Sequence, residues 1–177
     1  MIPASYIQEW SSKVPWPDSR LVEQDLIISR ALCDLFNSPA LAGKIAFRGG
    51  TAINKLLFRQ SLRYSEDIDL VQTQPEPIGA TIDAIREALS WLGKCSRHQA
   101  GHSMHLVFKF APEADPETTL KLKVEINTRE HESLYGIRPY PFEIDCRWHQ
   151  AKTGILSYEP EELFGTKLRA LLQRRKN

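Results

Sequence analysis

Apolar residues recur at helical spacing in three separate parts of the chain. Residues 18–36 carry the first stripe, residues 78–92 the second, and a third follows Pro160. A spacing of three and four residues puts apolar side chains on one face, which is typical of a helix packed on a core. The pattern therefore predicts three amphipathic helices, the first capped by Asp18 or Ser19 and the second stopped by Gly93.

Alternation of apolar and polar residues predicts strands between these helices. The alternating segments are residues 44–47, 65–72, 95–99, 103–110, 119–127, 142–147 and 152–157. A further helix is expected over residues 51–58. Residues 1–17 are expected to be a lead-in that lies over the domain, and residues 136–141 are expected to be irregular. Strands gathered among amphipathic helices predict an α+β fold, in which a mixed, mostly antiparallel sheet is flanked by helices. We expect a single domain over residues 1–177.

Composition is that of an ordinary globular domain. Hydrophobic residues make up 42% and charged residues 25% of the chain, close to globular averages. No run of about 18 apolar residues and no basic-then-apolar start is present, so neither a membrane span nor export is indicated, and a cytoplasmic location is expected. The net charge of +1 does not by itself indicate nucleic-acid binding.

Two adjacent glycines connect the first predicted strand to the helix after it. Without a Cβ, Gly49 and Gly50 can take positive φ and let backbone amides approach a bulky anion. The following helix adds unpaired N–H groups and the positive end of its dipole, which favour phosphate. A plain strand-to-helix turn is the alternative, since glycines are common in turns.

Two aspartates lie on one face of the strand over residues 65–72. Asp67 and Asp69 alternate with Ile68 and Leu70, so both carboxylates point the same way. Side chains at i and i+2 are about 6.6 Å apart along a strand, and magnesium needs only one or two protein carboxylates when a nucleotide supplies further oxygens. The pair predicts a magnesium site, with an exposed acidic strand face as the alternative.

A third acid follows from the same alternation. Lys121, Lys123 and Glu125 lie opposite the apolar face of the strand over residues 119–127. If this strand lies beside the Asp67 strand, Glu125 can share a metal or take the proton of an attacking hydroxyl. A solvated charged face is the alternative.

Lys167 is the last candidate, because it lies on the apolar stripe of the helix that Pro160 opens. Such a lysine either extends to water along its methylene stem or points into a pocket that favours a cation. The basic residues Arg169, Arg174, Arg175 and Lys176 follow it. They either complement the helix dipole or provide a local basic surface for nucleic acid.

These motifs resemble those of the AbiEii/AbiGii-type nucleotidyltransferase toxins, a minimal branch of the polymerase-β-type nucleotidyltransferases. The resemblance covers most of the chain and rests on four segments: Phe47-Arg48-Gly49-Gly50-Thr51-Ala52-Ile53-Asn54-Lys55, Arg63-Tyr64-Ser65-Glu66-Asp67-Ile68-Asp69-Leu70, Lys123-Val124-Glu125-Ile126, and Glu161-Glu162-Leu163-Phe164 with Lys167-Leu168-Arg169-Ala170-Leu171. It implies a minimal nucleotidyltransferase fold and a magnesium-dependent enzyme that transfers a nucleoside monophosphate from a triphosphate with release of pyrophosphate. It also implies an acceptor at the 3′ end of transfer RNA and a cognate antitoxin.

The resemblance and the residue patterns together assign roles. The expected metal ligands are Asp67, Asp69 and Glu125, with Glu125 binding the second ion or activating the acceptor hydroxyl, and Lys167 is expected to neutralise the triphosphate. The residues expected to bind the nucleotide are Gly49, Gly50, Thr51, Ser65 and Lys123. Transfer of this kind relies on positioning and charge stabilisation rather than on a protein nucleophile.

One departure from the family leaves alternatives open. Relatives continue past the Lys167 helix into an Arg-Asp-x-x-Asp segment, whereas this chain ends at Asn177, so a C-terminal segment usual in the family is expected to be missing. A catalytically silent module that binds nucleotide or antitoxin is therefore one alternative. A metal-dependent phosphodiesterase or nuclease is the other, since paired acids also serve hydrolysis.

Overall fold

The computed structural model describes residues 2–58 and 60–174, with side chains up to residue 172. The side chain of Arg174 and the residues Arg175 and Lys176, part of the predicted basic segment, lie outside this description. The helices longer than one turn in the described part are α1 (Ala4–Ser11), α2 (Ser19–Asn37), α3 (Gly49–Leu57), α4 (Gly79–Ala88) and α5 (Pro160–Arg174). Their lengths and polarity leave none of these described helices able to cross a membrane.

The strands of the described residues form one seven-stranded sheet. They are β1 (Ile45–Arg48), β2 (Asp67–Gln72), β3 (Cys95–Ala100), β4 (Ser103–Phe110), β5 (Leu120–Asn127), β6 (Ile137–Cys146) and β7 (His149–Tyr158). Their order across the sheet is β3-β4-β5-β2-β1-β7-β6. The pairings β2–β5 and β1–β7 are parallel, and the other pairings are antiparallel. The predicted α+β fold with a mixed, mostly antiparallel sheet is confirmed.

The sheet carries a continuous apolar core on the face against which the long helix α2 packs. Ile68 and Leu70 of β2 and Val124 of β5 are buried there, as are Leu26 and Leu32 of α2. Because side chains alternate along a strand, burial of this face turns the polar residues of β2 and β5 to the opposite face. The acidic face is thus positioned by the packing of the apolar one.

Three segments differ from the local predictions. Residues 4–11 of the predicted lead-in form α1, and its buried residues Ile7 and Trp10 explain the helix. Strand β6 begins at Ile137, within the segment expected to be irregular. Its prolines are tolerated because β6 is the edge strand, where a missing N–H breaks no ladder. The glycines Gly49 and Gly50 form the first turn of α3 and are not a separate connection.

Candidate active site

The glycine turn lies directly against the second aspartate. Strand β1 pairs with β2 so that Arg48 is opposite Asp69, and Gly49 follows with φ +79°. A Cβ added at Gly49 would lie 2.0 Å from Asp69 Oδ2. Only glycine therefore fits, since it accepts the positive φ and leaves room for the carboxylate.

Two cations flank the next glycine. A Cβ at Gly50 would lie 3.1 Å from Arg63 Nη1 and 3.5 Å from Lys167 Nζ. Lys167 reaches this point from α5, as its place on the helix predicted. Arg63 reaches it from the loop before β2, and its guanidinium was missed as a site residue. Its only sequence signal is its place in the same motif as Ser65 and Asp67.

Asn54 of α3 holds the Arg63 loop in place. Its Nδ2 donates to the Arg63 carbonyl oxygen at 2.9 Å, and its Oδ1 accepts from the Leu62 N–H at 2.8 Å. Asn54 is buried, so these bonds are shielded from water and worth more than surface ones. The helix that begins with the glycines therefore also positions the cation beside them.

The three predicted acids come from neighbouring strands. In the parallel pair of β2 and β5, Asp69 is opposite Glu125 and Asp67 is opposite Lys123. The Lys123 ammonium lies 3.3 Å from Asp67 Oδ2 and 3.4 Å from Glu125 Oε2. No three acids of the described residues converge on a common point as the side chains stand. The Lys123 ammonium instead lies between two of them.

The electrostatics of the two facing acids differ. Burial, with the nearby carboxylates of Glu125 and Asp67, raises the pKa of Asp69 above its ordinary value, against the charges of Lys123 and Arg48. Burial also raises the pKa of Glu125, but hydrogen bonding to Ser103 and the charges of His105 and Lys123 outweigh it, so the pKa of Glu125 is lowered. Ionisation is thus less favourable for Asp69, and more favourable for Glu125, than for an ordinary carboxyl group.

The charged side chains form a row across the sheet. His98 is paired with His105, His105 with Glu125, and Glu125 with Asp69. His105 Nε2 lies 3.4 Å from Glu125 Oε2, and its Nδ1 lies 3.0 Å from His98 Nε2. The hairpin of β3 and β4 therefore supports Glu125 from the side away from Asp69.

A cleft of about 300 Å³ opens beside the glycine turn, a size within the range of small-molecule sites. Its lining includes five predicted site residues, namely Gly49, Gly50, Asp69, Glu125 and Lys167. Asp67 and Lys123 do not line the cleft, because they precede Asp69 and Glu125 by two residues in their strands. Thr51 is buried and offers the cleft no side chain. The Ser65 hydroxyl is buried and makes no hydrogen bond within the described residues.

Glu130 forms one wall of the cleft and was not predicted. Its two carboxylate oxygens accept from different arginines, Oε2 from Arg48 and Oε1 from Arg169 Nη2, the latter at 2.9 Å. The hydrogen bond from Arg48 is the main reason that the pKa of Glu130 lies below its ordinary value. The sequence around Glu130 does not predict these ion pairs, because its partners Arg48 and Arg169 come from β1 and α5.

This arrangement defines the class of the protein: a mixed sheet that presents acids beside a glycine-led helix is the fold of a nucleotidyltransferase. The chain belongs to the AbiEii nucleotidyl transferase toxin family of type IV toxin–antitoxin systems, whose family model matches residues 30–177. No curated protein sequence matches the chain significantly.

Two solved structures illustrate the fold. JHP933 from Helicobacter pylori is 15% identical, with a TM-score of 0.58 over 85% of this chain and 57% of its own. MenT4, a nucleotidyltransferase toxin from Mycobacterium tuberculosis, is 11% identical, with a TM-score of 0.52 over 95% of this chain and 58% of its own. The chain thus spans under three fifths of the length of these relatives.

Proposed function

We propose that the protein transfers a nucleoside monophosphate from a nucleoside triphosphate to a hydroxyl of an RNA acceptor, releasing pyrophosphate. The observation that carries the proposal is the register of β2 and β5, which sets Asp69 beside Glu125 and opposite a glycine turn flanked by Lys167 and Arg63. Acids on one side and cations on the other suit a polyphosphate whose reacting phosphorus lies between them.

The residues take distinct parts in the proposed reaction. The acceptor oxygen attacks the α-phosphorus, the bond from that phosphorus to the bridging oxygen breaks, and pyrophosphate leaves. Glu125 takes the hydroxyl proton, a role that requires an ionised base. Lys167 and Arg63 stabilise the charge on the departing pyrophosphate, and the first turn of α3 offers its N–H groups to the same phosphates.

The donor set fits the magnesium that the family implies. Asp67, Asp69 and Glu125 supply the hard carboxylate oxygens that Mg²⁺ prefers, and a nucleotide would complete the coordination. Burial and, after it, the neighbouring carboxylates raise the pKa of Asp69, and a bound cation would favour its ionised form. Bound there, Mg²⁺ would neutralise phosphate charge. Lys123, which pairs with Asp67 and Glu125, would add its positive charge to the binding of the nucleotide.

Family membership extends the proposal to partners. A toxin of a type IV toxin–antitoxin system is expected to have a cognate antitoxin protein, and we propose the 3′ end of transfer RNA as the acceptor. Both would meet the protein in the cytoplasm.

The test is incubation of the protein with each labelled triphosphate, Mg²⁺ and total cellular RNA, followed by size separation. We expect labelled, lengthened RNA, and we expect Asp67→Ala to reduce labelling by at least about 100-fold while the domain remains folded. Asp83→Ala, which removes an exposed aspartate on α4, is the matched control. Shortened RNA would indicate a nuclease. Thermal stabilisation by nucleotide without pyrophosphate release would indicate a silent binding module.

A further inference from the structure

A second cavity, of about 550 Å³, adjoins the catalytic cleft. The two share Arg48, Glu130, Thr166 and Arg169 in their linings. The second cavity is the larger of the two and contains none of the acids proposed for catalysis. A ligand in the second cavity would therefore be bound by other side chains. Arg129 and His131 are among those that line it.

The end of β5 directs these groups into the cavity. Asn127 Oδ1 accepts from the backbone N–H groups of Arg129 and Glu130, both at 2.9 Å, which closes a turn immediately after the strand. His131 Nδ1 lies 2.7 Å from the Gln72 carbonyl oxygen. Since a carbonyl only accepts, Nδ1 carries the hydrogen. The segment is thus fixed to the sheet by hydrogen bonds and is not a free loop.

In the wall that the two cavities share, the Glu130 carboxylate occupies a position between two arginines that would suit a phosphate. Arg48 and Arg169 each donate to a different oxygen of Glu130, as two guanidinium groups commonly do with a phosphate. Arg129 Nη1 lies 2.7 Å from His102 Nε2 and lines the second cavity but not the cleft. Two guanidinium groups, those of Arg48 and Arg169, therefore lie where the two cavities meet, and Arg129 lines the second cavity alone.

Besides Glu130, two acids line the second cavity, Glu162 and Glu132. Glu162 accepts from the Ser133 hydroxyl and from the backbone N–H groups of Leu134 and Tyr135, so its charge is used within the protein. Glu132 is exposed to solvent. Glu130 is the one carboxylate here that pairs with both Arg48 and Arg169, and a competing anion could displace it.

We propose that this second cavity binds the 3′-terminal phosphodiester of a single-stranded RNA acceptor, held by Arg129 and, after displacement of Glu130, by Arg48 and Arg169. This inference rests on the proposed function. Lys167, Arg63 and the start of α3 already supply the charge that a triphosphate needs. A donor base is uncharged and would not compensate the charge of the additional arginines, whereas a strand continuing from the acceptor hydroxyl brings further phosphates.

The first test measures binding without turnover, by fluorescence anisotropy of a labelled single-stranded RNA oligonucleotide at several salt concentrations. We expect Arg129→Ala to weaken binding about tenfold and to reduce the slope of log affinity against log salt by about one. Glu130→Gln should instead tighten binding, because it removes the negative charge that pairs with Arg48 and Arg169 and competes with a phosphate. Arg86→Ala, at an exposed arginine of α4, should match the wild type.

A second measurement separates this inference from the proposed function. In the labelling assay, Arg129→Ala should raise the KM for RNA and leave the KM for the triphosphate unchanged, with Arg129→Lys intermediate. Bound but unlengthened RNA would contradict the proposed function and leave the inference standing. Wild-type affinity in Arg129→Ala, a raised KM for the triphosphate alone, or no RNA binding by the wild type would overturn the inference.

Discussion

Gly49 is constrained twice, by its backbone and by its neighbour. Its φ of +79° is unfavourable for a side chain, and Asp69 Oδ2 occupies the place of a Cβ. Gly43 has a similar φ of +71° but open space around it. The two glycines therefore allow the backbone cost and the steric cost to be measured separately.

We predict that Gly43→Ala lowers the free energy of unfolding by about 1 kcal/mol, the cost of the positive φ alone. Gly49→Ala should cost about 1 to 3 kcal/mol more and abolish transfer, because it displaces the Asp69 carboxylate. Chemical denaturation of both variants gives the difference. Equal losses in the two variants would mean that Asp69 can move aside without strain.

Burial of the Asp69 carboxyl group gives it an electrostatic cost in the folded protein. Because its pKa is raised in the folded protein, ionisation is less favourable in the folded than in the unfolded state. The contribution of this group to stability is therefore lost as pH rises from the ordinary carboxyl value of 3.8 through the folded value. Removing the charge should reverse that loss.

Asp69→Asn should accordingly raise the free energy of unfolding near pH 7 by on the order of 1 kcal/mol while abolishing transfer. The gain over the wild type should shrink as pH falls towards 4. Urea denaturation at several pH values measures it, with Asp83→Asn on the exposed side of α4 as the control. A gain that does not depend on pH would show that the carboxylate charge is not its cause.

At the scale of elements, α3 is held to α2 by a buried ion pair. Lys55 Nζ lies 2.8 Å from both carboxylate oxygens of Asp25 and 3.1 Å from Ser29 Oγ. The indole N–H groups of Trp10 and Trp16 also donate to Asp25. Helix α3 begins with Gly49 and carries Asn54. The ion pair therefore positions both the glycine turn and the loop of Arg63.

Lys55→Met should lower the free energy of unfolding by about 3 to 5 kcal/mol, because it leaves the Asp25 charge buried without its counter-ion. Adding Asp25→Asn removes that charge and should restore part of the loss. Thermal and urea denaturation of the single and double variants test this. A double variant that is less stable than Lys55→Met would show that the carboxylate charge is not the source of the cost.

At the scale of the molecule, α5 has two faces of different character. Leu163 is buried and Lys167 points to the cleft, but Phe164, Leu168, Leu171 and Leu172 are 45 to 64% exposed. Their spacing of four, three and one residues places them along one stripe of the helix. In the protein as described, this stripe contributes little to the core.

Replacing Leu168 and Leu172 together by glutamine should therefore change the free energy of unfolding by less than about 0.5 kcal/mol. Leu163→Gln, in the same helix but buried, should cost about 3 kcal/mol because it removes packing and buries an amide. Denaturation of both variants at two protein concentrations makes the comparison. A large loss in the exposed pair would mean that the stripe is covered in solution.

The sequence by itself determined the elements and the faces of the strands. Alternation is a property of the extended backbone, so Asp67 and Asp69 share a face whatever packs beside them. Helical spacing placed Lys167 on a stripe with Leu163 and Leu171, of which Leu163 is buried and Leu171 is exposed. Local periodicity failed for α1 and the start of β6, where contact with the rest of the protein and an edge position decided the structure.

Only the tertiary structure decided which strands are neighbours and which loops meet. The pairing of β2 with β5 brings Asp69 to Glu125, and the path of the chain brings Arg63 and Lys167 to Gly50. Glu130 acquires its two arginines in the same way. These contacts join residues far apart in the chain, and they depend on the packing of the whole core, which no local repeat in the sequence encodes.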